Sequence, residues 1–150
     1  MQVVYGKGFE VASRMSVLAL EAAVREMPQY EPVTKHYFHG GMYCREVYRD
    51  AGVLVIGRVH KKEHFYLVSS GTLLVTTDDG VQRLETGALL LSKPGAKRAV
   101  YSETPATCMT FHRTDATTVE AAELELVEAE ENPMFDCNNL LIGDKIEVLT

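Results

Sequence analysis

The sequence of 150 residues lacks the features of a membrane, secreted or nucleic-acid-binding protein. It contains no apolar run near the roughly 18–20 residues that a membrane span needs, and residues 1–10 lack the apolar core of a signal peptide. The three cysteines, Cys44, Cys108 and Cys137, form no CxxC motif and no paired framework. The net charge of −6 argues against general nucleic-acid binding, which requires a basic face. We therefore expect a cytoplasmic protein with no membrane association.

The composition indicates one globular domain over residues 1–150. Apolar residues make up 46% and charged residues 24% of the chain, and 150 residues suffice for one well-formed core. The charges are unevenly distributed along the chain. Six glutamates lie between residues 120 and 131, and six of the 15 basic residues lie in two short loops: Arg58, Lys61, Lys62, Lys93, Lys97 and Arg98.

Two segments have the pattern of amphipathic helices. Apolar residues recur at helical spacing over residues 10–27, where Ser13 can cap the first turn. The glutamate-rich residues 117–131 predict a short acidic helix, whose packing side we assign to Leu124 and Val127. The first helix carries more apolar surface than one small domain easily covers, so we expect a homo-oligomer, most simply a dimer.

Residues 43–112 predict short antiparallel strands separated by glycine-containing turns. The segment Asp78-Asp79-Gly80 is typical of a β-hairpin, because glycine accepts a positive φ. Many short strands about ten residues apart favour a sandwich or barrel over a parallel sheet. His36 and His39, which precede Gly40-Gly41, are assigned to a loop before the first strand.

The turn spacing over residues 52–112 resembles the cupin domain, whose first motif reads G-x5-H-x-H-x3,4-E-x6-G. Gly52 and Gly71 stand at the two ends of this motif. Between them Arg58 falls on the first histidine, His60 on the second histidine and His64 on the glutamate. The spacing of the glycines is therefore kept, while the residues at two of the three ligand positions differ.

The second cupin motif, G-x5-P-x-G-x2-H-x3-N, is matched in the same partial way. Gly87 and Gly95 occupy the glycine positions, Lys93 replaces the proline, and Arg98 replaces the histidine. The resemblance implies a mainly β, cupin-like antiparallel β-barrel (a double-stranded β-helix or jelly roll). The N-terminal helix and the short acidic C-terminal helix would flank it.

The chain also resembles small cupin-like proteins of tailed bacteriophages, through the segments HKKEHFYLVSSG and SKPGAKRAVY as well as the N-terminal helix. This likeness implies expression in the cytoplasm of a bacterial host and incorporation into a virion as an alternative location.

The altered motif positions favour a pocket for a small anionic molecule. Arg58 and His60 have the same parity, so their side chains point to one face of a strand. In the cupin arrangement His64 and Arg98 would converge on the same interior. Two guanidinium groups could bind a phosphate or carboxylate bidentately, and the imidazoles would add hydrogen bonds or acid–base chemistry. The predicted ligand-binding residues are Arg58, His60, His64 and Arg98.

Two alternatives remain open from the sequence. His60, His64 and His112 could bind a divalent transition metal, and related cupins use three-histidine sites for oxygen chemistry, so a dioxygenase-like enzyme is conceivable. Against a metal, Arg58 and Arg98 occupy two ligand positions, and guanidinium offers no lone pair. The other alternative is a structural or assembly module of a phage particle, with its pocket filled by its own side chains.

Overall fold

The computed structural model describes residues 14–142, which form nine strands and two helices. In chain order they are α1 (Arg14–Val24), β1 (Val33–His39), β2 (Met42–Arg49), β3 (Leu54–Ile56), β4 (His64–Ser70), β5 (Leu73–Thr77), β6 (Gly80–Leu84), β7 (Leu89–Ser92), β8 (Ala99–Ser102), β9 (Ala106–Arg113) and α2 (Val119–Leu126).

The strands form two antiparallel sheets that face each other. The five-stranded sheet has the order β1-β2-β9-β4-β7, and the four-stranded sheet has the order β3-β8-β5-β6. A buried cluster joins Val68 and Cys108 of the first sheet to Leu73, Val75 and Val100 of the second. The predicted mainly β, antiparallel, jelly-roll fold with two helices is thus confirmed, although the sheets face each other without closing into a continuous barrel.

Gly71 shows why the glycine spacing of the first motif is kept. It joins β4 to β5 with a φ of +85°, a conformation that side-chain-bearing residues rarely adopt. A Cβ atom at this position would also collide with the carbonyl oxygen of Pro105 and with Ala106 at the start of β9. The tight turn therefore depends on glycine, and it fixes the start of β5 against β9.

The first sheet begins earlier in the chain than residue 43. Residues 33–39 form β1, which pairs with β2 through a two-glycine turn, Gly40 and Gly41, with φ values of +56° and +79°. The assignment of His36 and His39 to a loop is therefore wrong. Two consecutive positive φ values match the twist of a hairpin, and a Gly-Gly pair between alternating segments is the signal that predicts one.

Both helices end earlier than their sequence patterns predict. Helix α1 buries Val24 in a cluster with Leu54 and Ala99 of the four-stranded sheet; Ser13 lies outside the described residues. Helix α2 spans 119–126 instead of 117–131, and Thr118 caps it by accepting a hydrogen bond from the Ala121 amide (3.2 Å).

The assigned packing side of α2 is wrong for Leu124, whereas Val127, the C-cap residue, does pack against the buried cluster. Leu124 is 77% exposed, whereas Ala122 and Leu126 are buried against Tyr43 of β2. The buried pair lies four residues apart, which is the spacing of one helix face. Neither helix of the described residues is long and apolar enough to cross a membrane.

Candidate functional site

A cavity of about 250 Å³ lies between the inner face of the five-stranded sheet, α1, α2 and the segment that follows α2. Alternate residues of β2 and β9 line it, because successive side chains of a strand point to opposite faces. From β2 these are Tyr43, Arg45, Val47 and Arg49, and from β9 they are Cys108, Thr110 and His112. The shared parity of Cys108 and His112 is visible in the sequence.

His60 and His112 line one end of this cavity, and His64 lies against both of them. One ring nitrogen from each can be chosen so that all three lie within 4.8 Å of one another. The ring centroids are 4.2 Å apart for His60 and His64, 4.6 Å for His64 and His112, and 5.7 Å for His60 and His112. His64 and His112 are each only 5% exposed. The structure thus brings together the three histidines predicted as metal ligands.

Hydrogen bonds leave one nitrogen free on two of these rings. Nδ1 of His64 lies 3.3 Å from the carbonyl oxygen of Lys62, which can only accept, so Nδ1 donates and Nε2 keeps its lone pair. Nε2 of His112 lies 3.0 Å from Thr110 Oγ1, while Nδ1 is buried with no hydrogen-bond partner. Partners of this kind fix the orientation and tautomer of metal-binding histidines.

The electrostatic environment keeps all three imidazoles neutral near pH 7. Burial, with a smaller effect from His64, lowers the pKa of His60 and of His112 to about 3. Burial also lowers the pKa of His64, although its bond to the Lys62 carbonyl opposes this. The cation of Arg45 adds to the lowering at His60 and His112. A neutral imidazole is the form that binds a metal.

Arg58 lines the same cavity as His60, as their shared parity predicts, but its guanidinium is engaged by acidic residues. Nη1 forms an ion pair with Glu123 of α2, Nε lies 2.7 Å from the Glu130 carboxylate, and Nη2 donates to the Glu128 carbonyl (2.7 Å). The six-glutamate segment therefore includes the partners of Arg58 and is not only a solvated surface.

Arg98 lies between the sheets and outside the lining of the cavity. Its Nε and Nη2 donate to Ser92 Oγ (3.3 and 3.0 Å), and its Nη1 donates to the Thr76 carbonyl (3.0 Å). Its charge is close enough to lower the pKa of His64. The two basic loops do meet, since the Gly95 amide donates to the carbonyl of His60 (2.8 Å).

The sequence reasoning missed two arginines of β2. Arg45 and Arg49 both line the cavity, and Arg49 is only 4% exposed, with Nε and Nη1 lacking any hydrogen-bond partner. The available signal was their parity with Tyr43 on one strand. Because the sequence reasoning did not include β1, the parity alone did not indicate which face of β2 points toward the interior.

Comparisons of the chain with known proteins show a likeness of fold, which comes from solved structures. No protein-family model matches the sequence, and a search of curated proteins finds no match. Among solved structures, a cupin superfamily protein from Desulfitobacterium hafniense DCB-2 is similar with a TM-score of 0.50 and 14% identity. The match covers 63% of this chain and 87% of that protein.

Two further solved structures show the same likeness. KdgF from Halomonas sp. has a TM-score of 0.51 at 13% identity, over 61% of this chain and 87% of that one. Salicylate 1,2-dioxygenase from Pseudoaminobacter salicylatoxidans has a TM-score of 0.52 at 16% identity, over 73% of this chain and 33% of that one. These similarities show that the two sheets are arranged in the cupin fold.

Proposed function

We propose that this protein binds a divalent transition metal through His60, His64 and His112 and a small molecule in the adjoining cavity. The observation that carries the proposal is the convergence of three ring nitrogens within 4.8 Å at the end of a 250 Å³ cavity. Imidazole is a good ligand for zinc, iron, copper and nickel. Three protein ligands leave coordination positions open, as in catalytic metal sites.

The chemistry of the three residues fits such an ion. They are neutral near pH 7 because burial lowers each pKa, and the buried Nδ1 of His112 has no other partner. A bound metal would act as a Lewis acid or activate a water molecule. The protein itself supplies a largely apolar chamber around Tyr66 and Cys108, which limits water near the reacting groups.

The two arginines at cupin ligand positions do not oppose this proposal. Glu123 and Glu130 offset the charge of Arg58, and Arg98 is directed to Ser92 and Thr76. Opposite charges at this distance cancel most of the field that Arg58 exerts on a nearby cation. The guanidinium groups therefore leave the three-histidine site available.

The test is metal binding by purified protein, first stripped with chelator and then titrated with Co²⁺ or Zn²⁺. We expect one metal per chain by elemental analysis. His60→Ala, His64→Ala and His112→Ala should each weaken binding at least tenfold, the scale on which even supporting residues act. The absorption spectrum of the Co²⁺ form reports nitrogen coordination independently of any activity.

His39→Ala is the matched control, because His39 lies on β1 with an exposed side chain. Circular dichroism of every variant checks the fold: a variant that loses metal binding but keeps the parental spectrum has lost only the site. Stoichiometric binding that survives all three cavity substitutions, or that disappears equally in His39→Ala, contradicts the proposal.

An anionic ligand at Arg58, His60, His64 and Arg98 stays a prediction, as do the phage origin and the assembly-module alternative. Arg98→Ala separates the first from the metal site. If Arg98 only supports the fold, the variant keeps its metal and its small-molecule affinity. If it binds an anion, phosphate or carboxylate affinity falls while metal binding remains.

A further inference from the structure

Arg49 is a buried cation with no countercharge among the described residues. It ends β2, is 4% exposed, and has Nε and Nη1 buried with no hydrogen-bond partner. Within residues 14–142 no carboxylate forms an ion pair with it. Removing a charge from water without a partner costs several kcal/mol or more, and buried polar groups are nearly always satisfied. A buried guanidinium in this state calls for an anion.

The acidic residues around the cavity are already engaged elsewhere. Glu123 and Glu130 pair with Arg58, and Glu21 pairs with Lys97 (3.2 Å). The Asp136 carboxylate accepts hydrogen bonds from the backbone amides of Asn138 and Leu140. None of the described acidic groups that line the cavity therefore neutralises Arg49.

The position of Arg49 separates it from the histidines. In the register of β2 and β9, Tyr43 lies opposite His112 and Arg49 lies opposite Ala106. Six residues of strand span about 20 Å, so the guanidinium and the histidines approach the cavity from different ends. Between them the wall carries the apolar side chains of Val47 and Tyr66, with the polar Thr110 and Arg45 nearer the histidines.

We propose that Arg49 binds the carboxylate of an elongated organic acid whose apolar body lies along the cavity. A guanidinium binds a carboxylate in a bidentate pair through one of two faces, Nε with Nη2 or Nη1 with Nη2. Each of these faces includes one of the two unpartnered nitrogens of Arg49. The role of this acid as substrate rests on the proposed metal site, toward which its other end points. The binding of its carboxylate does not depend on the metal.

The test uses octanoate as the probe, with 1-octanol as the uncharged comparison, in calorimetric titrations of the full chain. We expect saturable 1:1 binding of octanoate to both the metal-free and the zinc-loaded protein, and weaker binding of octanol. Arg49→Gln should weaken octanoate binding at least tenfold, and Arg49→Lys should weaken it less. Arg83→Gln, at an exposed arginine of β6, should leave it unchanged.

Thermal unfolding of the same variants distinguishes a binding residue from a structural one. Because no carboxylate of residues 14–142 pairs with Arg49, Arg49→Gln should keep or raise the unfolding temperature of the ligand-free protein. Equal octanoate affinity in Arg49→Gln and the parent, or no octanoate binding by the parent, overturns the inference. Zinc titration of these variants is read separately, so failure of the metal site and failure of the carboxylate site give different results.

Discussion

At the level of single residues, the cavity concentrates polar atoms that have no partner in the protein. Gln29 Oε1, His112 Nδ1 and two nitrogens of Arg49 are all buried and unpaired, and all three residues line this space. Such atoms are rare in folded proteins, and each reduces stability. Their collection around one cavity is consistent with the proposed metal and carboxylate sites, which would supply the missing partners.

The three histidines predict a pH dependence of the metal-free protein. The folded-state pKa of His60 and of His112 is about 3, against an ordinary value of 6.5, so the unfolded chain binds more protons between these values. Stability is therefore fully present above pH 6.5 and is lost as the pH falls toward 3. Each histidine contributes up to about 1.4 kcal/mol per pH unit in that window.

Urea unfolding at pH 7, 6 and 5 measures this loss. His112→Gln should flatten the dependence, since the glutamine amide does not titrate, whereas His39→Gln should keep the parental slope. Identical slopes in the parent and His112→Gln would mean that the buried imidazoles do not control the acid response. Saturating Zn²⁺ should raise the stability with little change in this slope, because His60 and His112 are already neutral in the folded chain at these pH values.

At the level of elements, one buried ion pair holds α1 on the sheets. The ammonium of Lys97, whose side chain is 4% exposed, lies 3.2 Å from the Glu21 carboxylate of α1. Lys97, one of the six basic residues of the two loops, thus anchors α1. Glu21→Ala leaves the buried ammonium uncompensated, so we expect a loss of up to about 3 kcal/mol in the free energy of unfolding.

A second variant and a control define that effect. Glu21→Ala/Lys97→Met removes both charges and should be less destabilised than Glu21→Ala alone. Glu103→Ala removes the partner of the exposed Arg83 and should cost under about 1 kcal/mol. The anchoring role fails if chemical denaturation gives Glu21→Ala and Glu103→Ala the same cost.

The elements also show where sequence patterns suffice and where they do not. Glycine spacing located the turns around β4–β5 correctly, because the positive φ at Gly71 is a local requirement of the turn. Local pattern gave the wrong face of α2, since Leu124 and Leu126 are equally apolar and only contact with Tyr43 decides which is buried. Contacts between distant segments carry that information.

The candidate site likewise has residues that sequence patterns predict and contacts that only the structure reveals. His60 and His64 follow from the motif alignment, and His112 follows from strand parity. The partners of Arg58, in contrast, lie 65 to 72 residues further along the chain, on α2 and the segment after it. Arg49 was missed because its significance is the absence of a partner, which only the packed structure reveals.

For the whole molecule, the outer face of the five-stranded sheet supports the predicted homodimer. Helix α1 packs its apolar residues Leu20 and Val24 against its own chain, so these residues are not free to contact a second subunit. Large apolar side chains on the outer sheet face are 37–57% exposed: Val33, Tyr37, Met42, Tyr48, Phe65, Leu89 and Leu91. Such patches mark interaction sites, and a two-fold axis pairs one patch with itself.

Light scattering coupled to size exclusion should give twice the chain mass. Phe65→Lys/Leu89→Lys should shift the particle to the mass of one chain without changing its metal content, while Leu124→Lys, on the exposed side of α2, should not. A parent that is monomeric at high micromolar concentration contradicts the dimer.

Backbone hydrogen bonds join residues 59–61 to the end of α2, and this couples the position of α2 to the position of His60. The Lys61 amide donates to the Leu126 carbonyl, and the Glu128 amide donates to the Val59 carbonyl, on either side of His60. Displacing α2 from the cavity therefore also displaces one of the three imidazoles. By thermodynamic reciprocity, if an ion bound by those imidazoles favours this position of α2, then a molecule that binds better with α2 in this position would raise the affinity for the ion by the same factor.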